Sequence, residues 1–477
     1  MCGIVGVYRV EPGGLGQVTT ACALVNNRGH EAVGIAGYGT GTSDFFLQPS
    51  YVRDACASSC RPWTDFVEQT TEHRINQWLG HTRYKTVDAA GASLGQPLPG
   101  HNPRFGEFCL VHNGQLPDHA ADRQVLSASY SFTSASDSET LVARIALSPA
   151  ATLADAVAEI VRDVPGGYAL IVMTEAEMVA ATDRYWTRPL MVSIASDHIC
   201  FASERAALPN SNGQIKPLPK GTLGIASRCG DRVIWKERPV VTDALRAHCI
   251  WEGFYFSRPD QPMNGHVAHE FRMSLGAALA RAMPSANVDF WCGVPETGNE
   301  SGLGLARALD ENFYVQAIIK NWYVTQARAF MLPDQAAREA KVRQKYTISD
   351  LVRGQRVGVV DDSLVRSTTA RVLTQMLFDA GAKEVHWRIA AAPIIGPCFT
   401  GIDIPTYEEL AAAGLPPNDI NSMVNGMIGA TSLFYIPLEK MVEVANRFDL
   451  GWCTGCFSGQ YPPGLVPNEL IQLAHAH

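Results

Sequence analysis

The stretch Arg356–Ala390 limits the possible folds more than any other part of the chain. Arg356–Val360 is apolar and reads as a strand. It runs into a small-residue loop, Asp361–Thr369, then a helix expected over Ala370–Ala380 and closed by Gly381, then a second strand over Val385–Ala390. Strands joined through a helical crossover pair in parallel, because a parallel pair needs a connection far longer than a hairpin. The second half is therefore expected to be an α/β unit on a parallel sheet. An amphipathic helix over Val267–Met283 should pack on it, with Val267, Phe271, Leu275 and Leu279 recurring every four residues.

The loop in this unit carries chemistry. A helix start offers unpaired N–H groups and the positive end of a dipole, which suits a phosphate. Thr368 and Thr369 add hydroxyls there, while Asp361 and Asp362 can meet ribose hydroxyls or a hydrated Mg²⁺. An ordinary loop with an acidic cap is the plainer alternative.

The first half has a different texture. Gly3–Tyr8, Phe108–His112, Tyr168–Met173 and Met178–Ala181 read as buried strands, interrupted by helices near Ser138–Ala146 and Leu153–Arg162. That pattern predicts a layered α+β domain. With 477 residues the chain has room for both units. The boundary is expected at 245–250, giving domains 2–247 and 248–477.

Cys2 follows the initiator Met directly. Removal of Met1 would leave a cysteine with a free α-amine, whose ordinary pKa of about 7.7–8.0 makes it a usable base near neutrality. One residue would then hold both nucleophile and base. Alone, the position is equally an incidental second residue.

The surrounding motifs decide the matter. MCGIVGVY, NNRGHEAVGI (Asn26–Ile35), LGHTRYKT (Leu79–Thr86), LVHNGQL (Leu110–Leu116) and SDSE (Ser136–Glu139) resemble the class II glutamine amidotransferase domain, an αββα N-terminal-nucleophile hydrolase. The resemblance implies Cys2 as nucleophile, with Asn113 and Gly114 forming an oxyanion hole. Arg83 would bind the α-carboxylate of glutamine and Asp137 its α-ammonium. The plainer readings are a surface salt bridge for Arg83 and a helix cap for Asp137. His30 stands where that family usually has Gln.

GVVDDSLVRSTTA (Gly358–Ala370) is similar to the binding signature of type I phosphoribosyltransferases for phosphoribosyl pyrophosphate (PRPP). Its flanks, HCIWEGFYFSRPD (His248–Asp260), GVPETGN (Gly293–Asn299), IIKNWYV (Ile318–Val324), PDQAAR (Pro333–Arg338) and APIIGPCFTGIDIPTYEEL (Ala392–Leu410), resemble the amidophosphoribosyltransferases. The likeness implies PRPP contacts from Lys320, Asp361, Asp362, Ser363, Arg366, Ser367, Thr368 and Thr369. Mg²⁺ would lie near Thr297, Asp361 and Asp362. Gln335, Arg338 and Arg343 would line a mobile loop. The chain departs from the family at Ser367, usually Gly and strained if φ must be positive, and at Trp322, which replaces an Arg within a loop longer by about two residues.

Of the 12 cysteines, Cys22, Cys109, Cys200 and Cys292 sit among apolar residues and read as core. Cys453 and Cys456 form a CxxC, compatible with zinc or redox chemistry. The likeness to the iron–sulfur branch of the amidophosphoribosyltransferases adds Cys249 and Cys398 and implies a structural 4Fe–4S cluster; four-cysteine zinc is the rival on ligand type.

A net charge of −8 gives no nucleic-acid footprint. MCGIVGVYRV lacks the basic-then-apolar pattern of a secretory signal and no apolar run is long enough to span a bilayer, so a cytoplasmic protein is expected. The reading as a whole is a glutamine-dependent amidophosphoribosyltransferase acting on glutamine and PRPP, a homo-oligomer (dimer or tetramer) by likeness. The alternatives are a paralogue with another sugar-phosphate acceptor, a non-catalytic PRPP-binding regulator, or an autonomous amide hydrolase.

Overall fold

The computed structural model describes residues 1–39, 42–48, 52–84, 95–209, 213–243, 245–310, 313–321, 335–404 and 406–475. Trp322, Arg328 and the rest of the expected loop insertion lie outside these residues, as do the side chains of Gln335 and Arg338.

The first half is built on two stacked antiparallel sheets. Gly3–Arg9 lies centrally in a seven-stranded sheet, between His198–Ala202 and Gln77–Arg83. The second sheet has six strands, with Gly106–Gln115 and Gly167–Met173 paired side by side. Alternation along each strand sends residues to opposite faces. Ile4, Tyr8, Leu79, Val111, Ile171 and Phe201 therefore meet between the sheets in one apolar core. The outer face of the seven-stranded sheet packs under Leu15–Leu24 and Arg61–Glu72 through Val18, Cys22, Phe66 and Trp78. The outer face of the other packs under Asp137–Leu147 and Leu153–Asp163 through Leu141, Ile145, Val157 and Leu170. Three cores between four layers give the αββα arrangement expected.

In the second half Phe290–Gly293, Arg356–Asp361, Glu384–Ile389 and Ser432–Tyr435 form a four-stranded parallel sheet in that order. One face carries Ala268–Ala282 and Thr297–Ala308 over Trp291 and Val360. The other carries Ser367–Asp379 over Val359, Val357 and Trp387. The Ser367 helix begins three residues before the expected Ala370. The Ser-Thr-Thr run that read as loop is its first turn. Ser367 carries no positive φ, so the strain considered for serine at this position does not arise. Gly381 closes the turn after this helix as expected, at φ 96°.

The halves interlock. Tyr185 donates from its hydroxyl to Pro463 O at 2.6 Å, and Leu465 and Val466 pack with Tyr185 and Ala247. Cys22, Cys109, Cys200 and Cys292 are buried, as expected of core thiols. No helix among the described residues is long and apolar enough to cross a membrane.

Candidate active sites and a cysteine cluster

Cys2 immediately precedes the central strand Gly3–Arg9, so a strand paired on both sides fixes its main chain. Its amide nitrogen donates to Asn113 Oδ1 at 3.2 Å, and its Sγ lies 3.8 Å from Tyr84 O. With Met1 in place, burial pushes the Cys2 thiol up and the Met1 amine pulls it back only in part. A thiol so raised needs a base. Two histidines stand near and neither serves. His81 is fully walled in, which lowers its pKa to about 3. Burial also lowers His112, whose Nδ1 meets Ser138 Oγ at 2.9 Å.

Asn113 and Gly114 end a strand whose register sets Asn113 opposite Ala169. While Asn113 Oδ1 holds Cys2, its Nδ2 is buried without a hydrogen-bond partner. A buried unpaired donor is costly, and beside a thiol it is available to a bound ligand. Gly114, at φ 153°, admits no side chain, since a Cβ there would lie 2.1 Å from Gly167 O.

Arg83 ends the strand Gln77–Arg83 and its carbonyl accepts from Glu31 N at 3.1 Å. Asp137 opens its helix, but the cap is Ser136, whose hydroxyl accepts from Ser138 N. Asp137 Oδ2 instead accepts from Leu116 N at 3.0 Å, which ties it to the end of the Asn113–Gly114 strand. The charges of Arg83 and Asp137 both reach the Cys2 thiol, in opposite senses. A cation and an anion thus lie within electrostatic reach of one thiol.

At the second site Asp361 ends its strand and Asp362 follows, buried. Asp362 Oδ1 accepts from Ser363 Oγ at 2.6 Å, and Oδ2 accepts from Thr297 Oγ1. Burial and the neighbouring carboxylate push Asp361 well up; burial also raises Asp362. Nearby cations favour the ionised forms of such a pair. Lys345, not singled out in the sequence, is near enough to favour both ionised forms. Lys320 lies on the same side, its Nζ 3.5 Å from Glu296 Oε1. Ser367, Thr368 and Thr369 form the helix start, half-buried. Arg366 pairs with Glu409, and Arg343 reaches Asp379 at the far end of the same helix, at 3.5 Å.

Cys249, Cys398, Cys453 and Cys456 converge. A short parallel pairing sets Cys249 opposite Cys453, one turn before Cys456. The charge on Cys456 would be felt by Cys398, Cys453 and Cys249 alike. Burial pushes Cys249 to about 11 and Cys453 to about 12. Cys398 Sγ accepts from Thr400 N and Ile402 N at 3.4 Å each, and Cys456 Sγ accepts from Trp251 Nε1 at 3.3 Å. Among the described residues, no group of three His, Cys, Asp or Glu side chains closes on a single ion.

A further group escaped the sequence reading entirely. Arg28, Arg188, Glu204 and Glu252 are fully buried together beside Cys2. Arginine and glutamate in NRGHE or HCIWE carry no local sign of pairing, and only their complete burial reveals it.

Known proteins resemble the chain throughout. Residues 81–210 match a family model described as a glutamine amidotransferase domain. Amidophosphoribosyltransferase of Bacillus subtilis (strain 168) is 35% identical over 400 residues, covering 82% of each chain. That of Archaeoglobus fulgidus is 31% identical, covering 98% of this chain and 99% of the relative. The solved structure of glutamine PRPP amidotransferase from B. subtilis, complexed with ADP and GMP, superposes with a TM-score of 0.82 at 31% identity over 97% of both chains. On these likenesses the chain belongs to the amidophosphoribosyltransferase family.

Proposed function

We propose that residues 2–247 hydrolyse glutamine at Cys2 and that residues 248–477 transfer the ammonia to C1 of PRPP, giving 5-phosphoribosylamine, pyrophosphate and glutamate. The observation that carries the first step is Asn113, bound to Cys2 through Oδ1 with Nδ2 buried and unpartnered.

Once Met1 is removed, the α-amine of Cys2 accepts the thiol proton as sulfur attacks the side-chain amide. Asn113 Nδ2 and Gly114 N–H receive the oxyanion. The amine then returns the proton to the leaving ammonia, and water hydrolyses the thioester to glutamate. Arg83 binds the α-carboxylate and Asp137 the α-ammonium. Ammonia stays neutral only away from water, and an apolar body lies in the right place. Tyr84, whose carbonyl lies 3.8 Å from Cys2 Sγ, shares one buried cluster with Phe254, Phe256, Ile402 and Val360, the residue before Asp361.

At the second site the helix start of Ser367, Thr368 and Thr369 receives the 5-phosphate. Ser363, Asp361 and Asp362 face the ribose, and Lys320 faces the pyrophosphate. The crowded aspartates fit Mg²⁺, which would neutralise the departing pyrophosphate when bound. Cys249, Cys398, Cys453 and Cys456 fit a 4Fe–4S cluster. N–H donors to two of the sulfurs suit thiolates, as the cluster would require. The cluster would fasten the Cys453–Cys456 turn to the domain core. We take the protein to be cytoplasmic and homo-oligomeric.

The test is one assay. Protein prepared without oxygen is mixed with glutamine, PRPP and Mg²⁺, and glutamate and pyrophosphate are followed while mass spectrometry reads the N-terminus. Equal release of both products by chains beginning at Cys2 is expected. Glutamate alone would point to a hydrolase or another acceptor, and active protein retaining Met1 would refute the amine as base.

A further inference from the structure

Cys2 needs its main chain held still, because its own amine and thiol must exchange a proton while the thiol attacks. The strand fixes Gly3 onward. Arg28 holds the carbonyl that leads into it, its Nε donating to Cys2 O at 3.3 Å. The guanidinium has no freedom left. NH1 donates to Glu204 Oε1 at 2.9 Å, and NH2 donates to both oxygens of Glu252, at 2.7 and 2.9 Å. Three of its edges are thus assigned, one of them to the nucleophilic residue.

The two carboxylates differ in origin. Glu204 belongs to the first half and is also held by Asn27 Nδ2 at 2.9 Å and Arg258 N at 3.2 Å. Glu252 comes from the second half, three residues after Cys249. It lies 3.7 Å from Arg188 NH1, and Arg188 NH2 donates to Thr400 O, two residues after Cys398. The same Cys398–Ile402 turn also touches the oxyanion strand: a Cβ on Gly401 would lie 3.2 Å from the carbonyl carbon of Gly114.

Two arginines and two glutamates, all excluded from water, balance one another. Removing one carboxylate leaves a guanidinium that must rotate or find water, since a buried unpaired charge is far costlier than a lost hydrogen bond. Rotation of Arg28 about its stem moves Nε, and Nε is the atom on Cys2.

We propose that Glu252 is a positioning residue of the glutaminase: a carboxylate lent by the phosphoribosyltransferase half, which sets the Arg28 guanidinium and through it the main chain of Cys2. The proposal rests on Cys2 being the glutaminase nucleophile. Nucleophile placement then depends on the second half being correctly folded, and the two activities share a physical connection independent of any bound substrate.

The test uses full-length enzyme prepared without oxygen, as Glu252→Gln and Glu252→Asp. Each is assayed for glutamine-dependent and ammonia-dependent consumption of PRPP. For Glu252→Gln the glutamine kcat should fall about 100-fold, the cost of misplacing a reacting group by roughly an ångström. KM for glutamine should stay within about threefold, because Arg83 and Asp137 are untouched, and the ammonia-dependent rate should stay within about twofold. Glu252→Asp keeps the charge and should recover about tenfold of the lost kcat. Equal loss of both activities, including loss through misfolding, would overturn the proposal. So would a glutamine kcat for Glu252→Gln within about threefold of wild type. If wild-type enzyme itself shows no glutamine-dependent turnover, the assignment of Cys2 fails first, and the two failures are told apart.

Discussion

Asn113→Ala separates catalysis from stability. The wild-type side chain makes one hydrogen bond, Oδ1 to the Cys2 nitrogen at 3.2 Å, and buries a second group, Nδ2, with no partner. Losing the hydrogen bond should cost about 1 kcal/mol, while removing an unsatisfied buried donor should return about 1–3 kcal/mol. Folding stability should therefore stay near wild type or rise slightly. Catalysis should not. One oxyanion donor is worth about 2.7–4 kcal/mol in the transition state, or about 100- to 1,000-fold in kcat. Gly114 N–H remains, so residual glutaminase should be measurable. Steady-state glutamine hydrolysis, ammonia-dependent PRPP consumption and thermal unfolding, read on one preparation, give all three quantities. The reasoning fails if glutamine kcat drops less than about tenfold. It also fails if stability falls by more than about 3 kcal/mol with both activities lost, since Nδ2 would then be structural.

The other expectations concern different parts of the molecule. His81 is buried neutral with a pKa near 3, whereas the unfolded chain protonates it near 6.5, so its contribution to stability is whole above about pH 6.5 and is lost as pH falls toward 3. Each unit in that window should cost up to about 1.4 kcal/mol, and His81→Asn should flatten the acid side of a stability–pH curve followed by urea unfolding. Chelation of Mg²⁺, or Asp361→Asn, should abolish PRPP consumption with either nitrogen source and leave basal glutaminase within about twofold; selective loss of the glutamine-driven reaction alone would contradict the metal's placement. Cys453→Ser should lose iron and visible absorbance together, whereas a colourless wild type holding one zinc per chain would remove the cluster.

What the sequence disclosed and what it hid divide along a physical line. Asn113 with Gly114, and Asp361 with Asp362, lie on continuous segments where a strand meets its loop, so the chemistry and the element that aims it are read together. Even there the helix start differs from expectation: Ser367–Thr369 have the composition of a loop, yet they form the helix's first turn. Asp137 could not be told from a cap until Ser136 was seen to fill that role. The Arg28–Glu252 pair was invisible for a different reason. Its partners are 224 residues apart and lie on separate halves, with no period or motif joining them. A surface ion pair tolerates a missing partner because water replaces it, but a pair excluded from water needs every member present at once. Such a network has no partial form that a local segment could display. It exists only when both halves have packed, which is also why it can report to Cys2 whether they have.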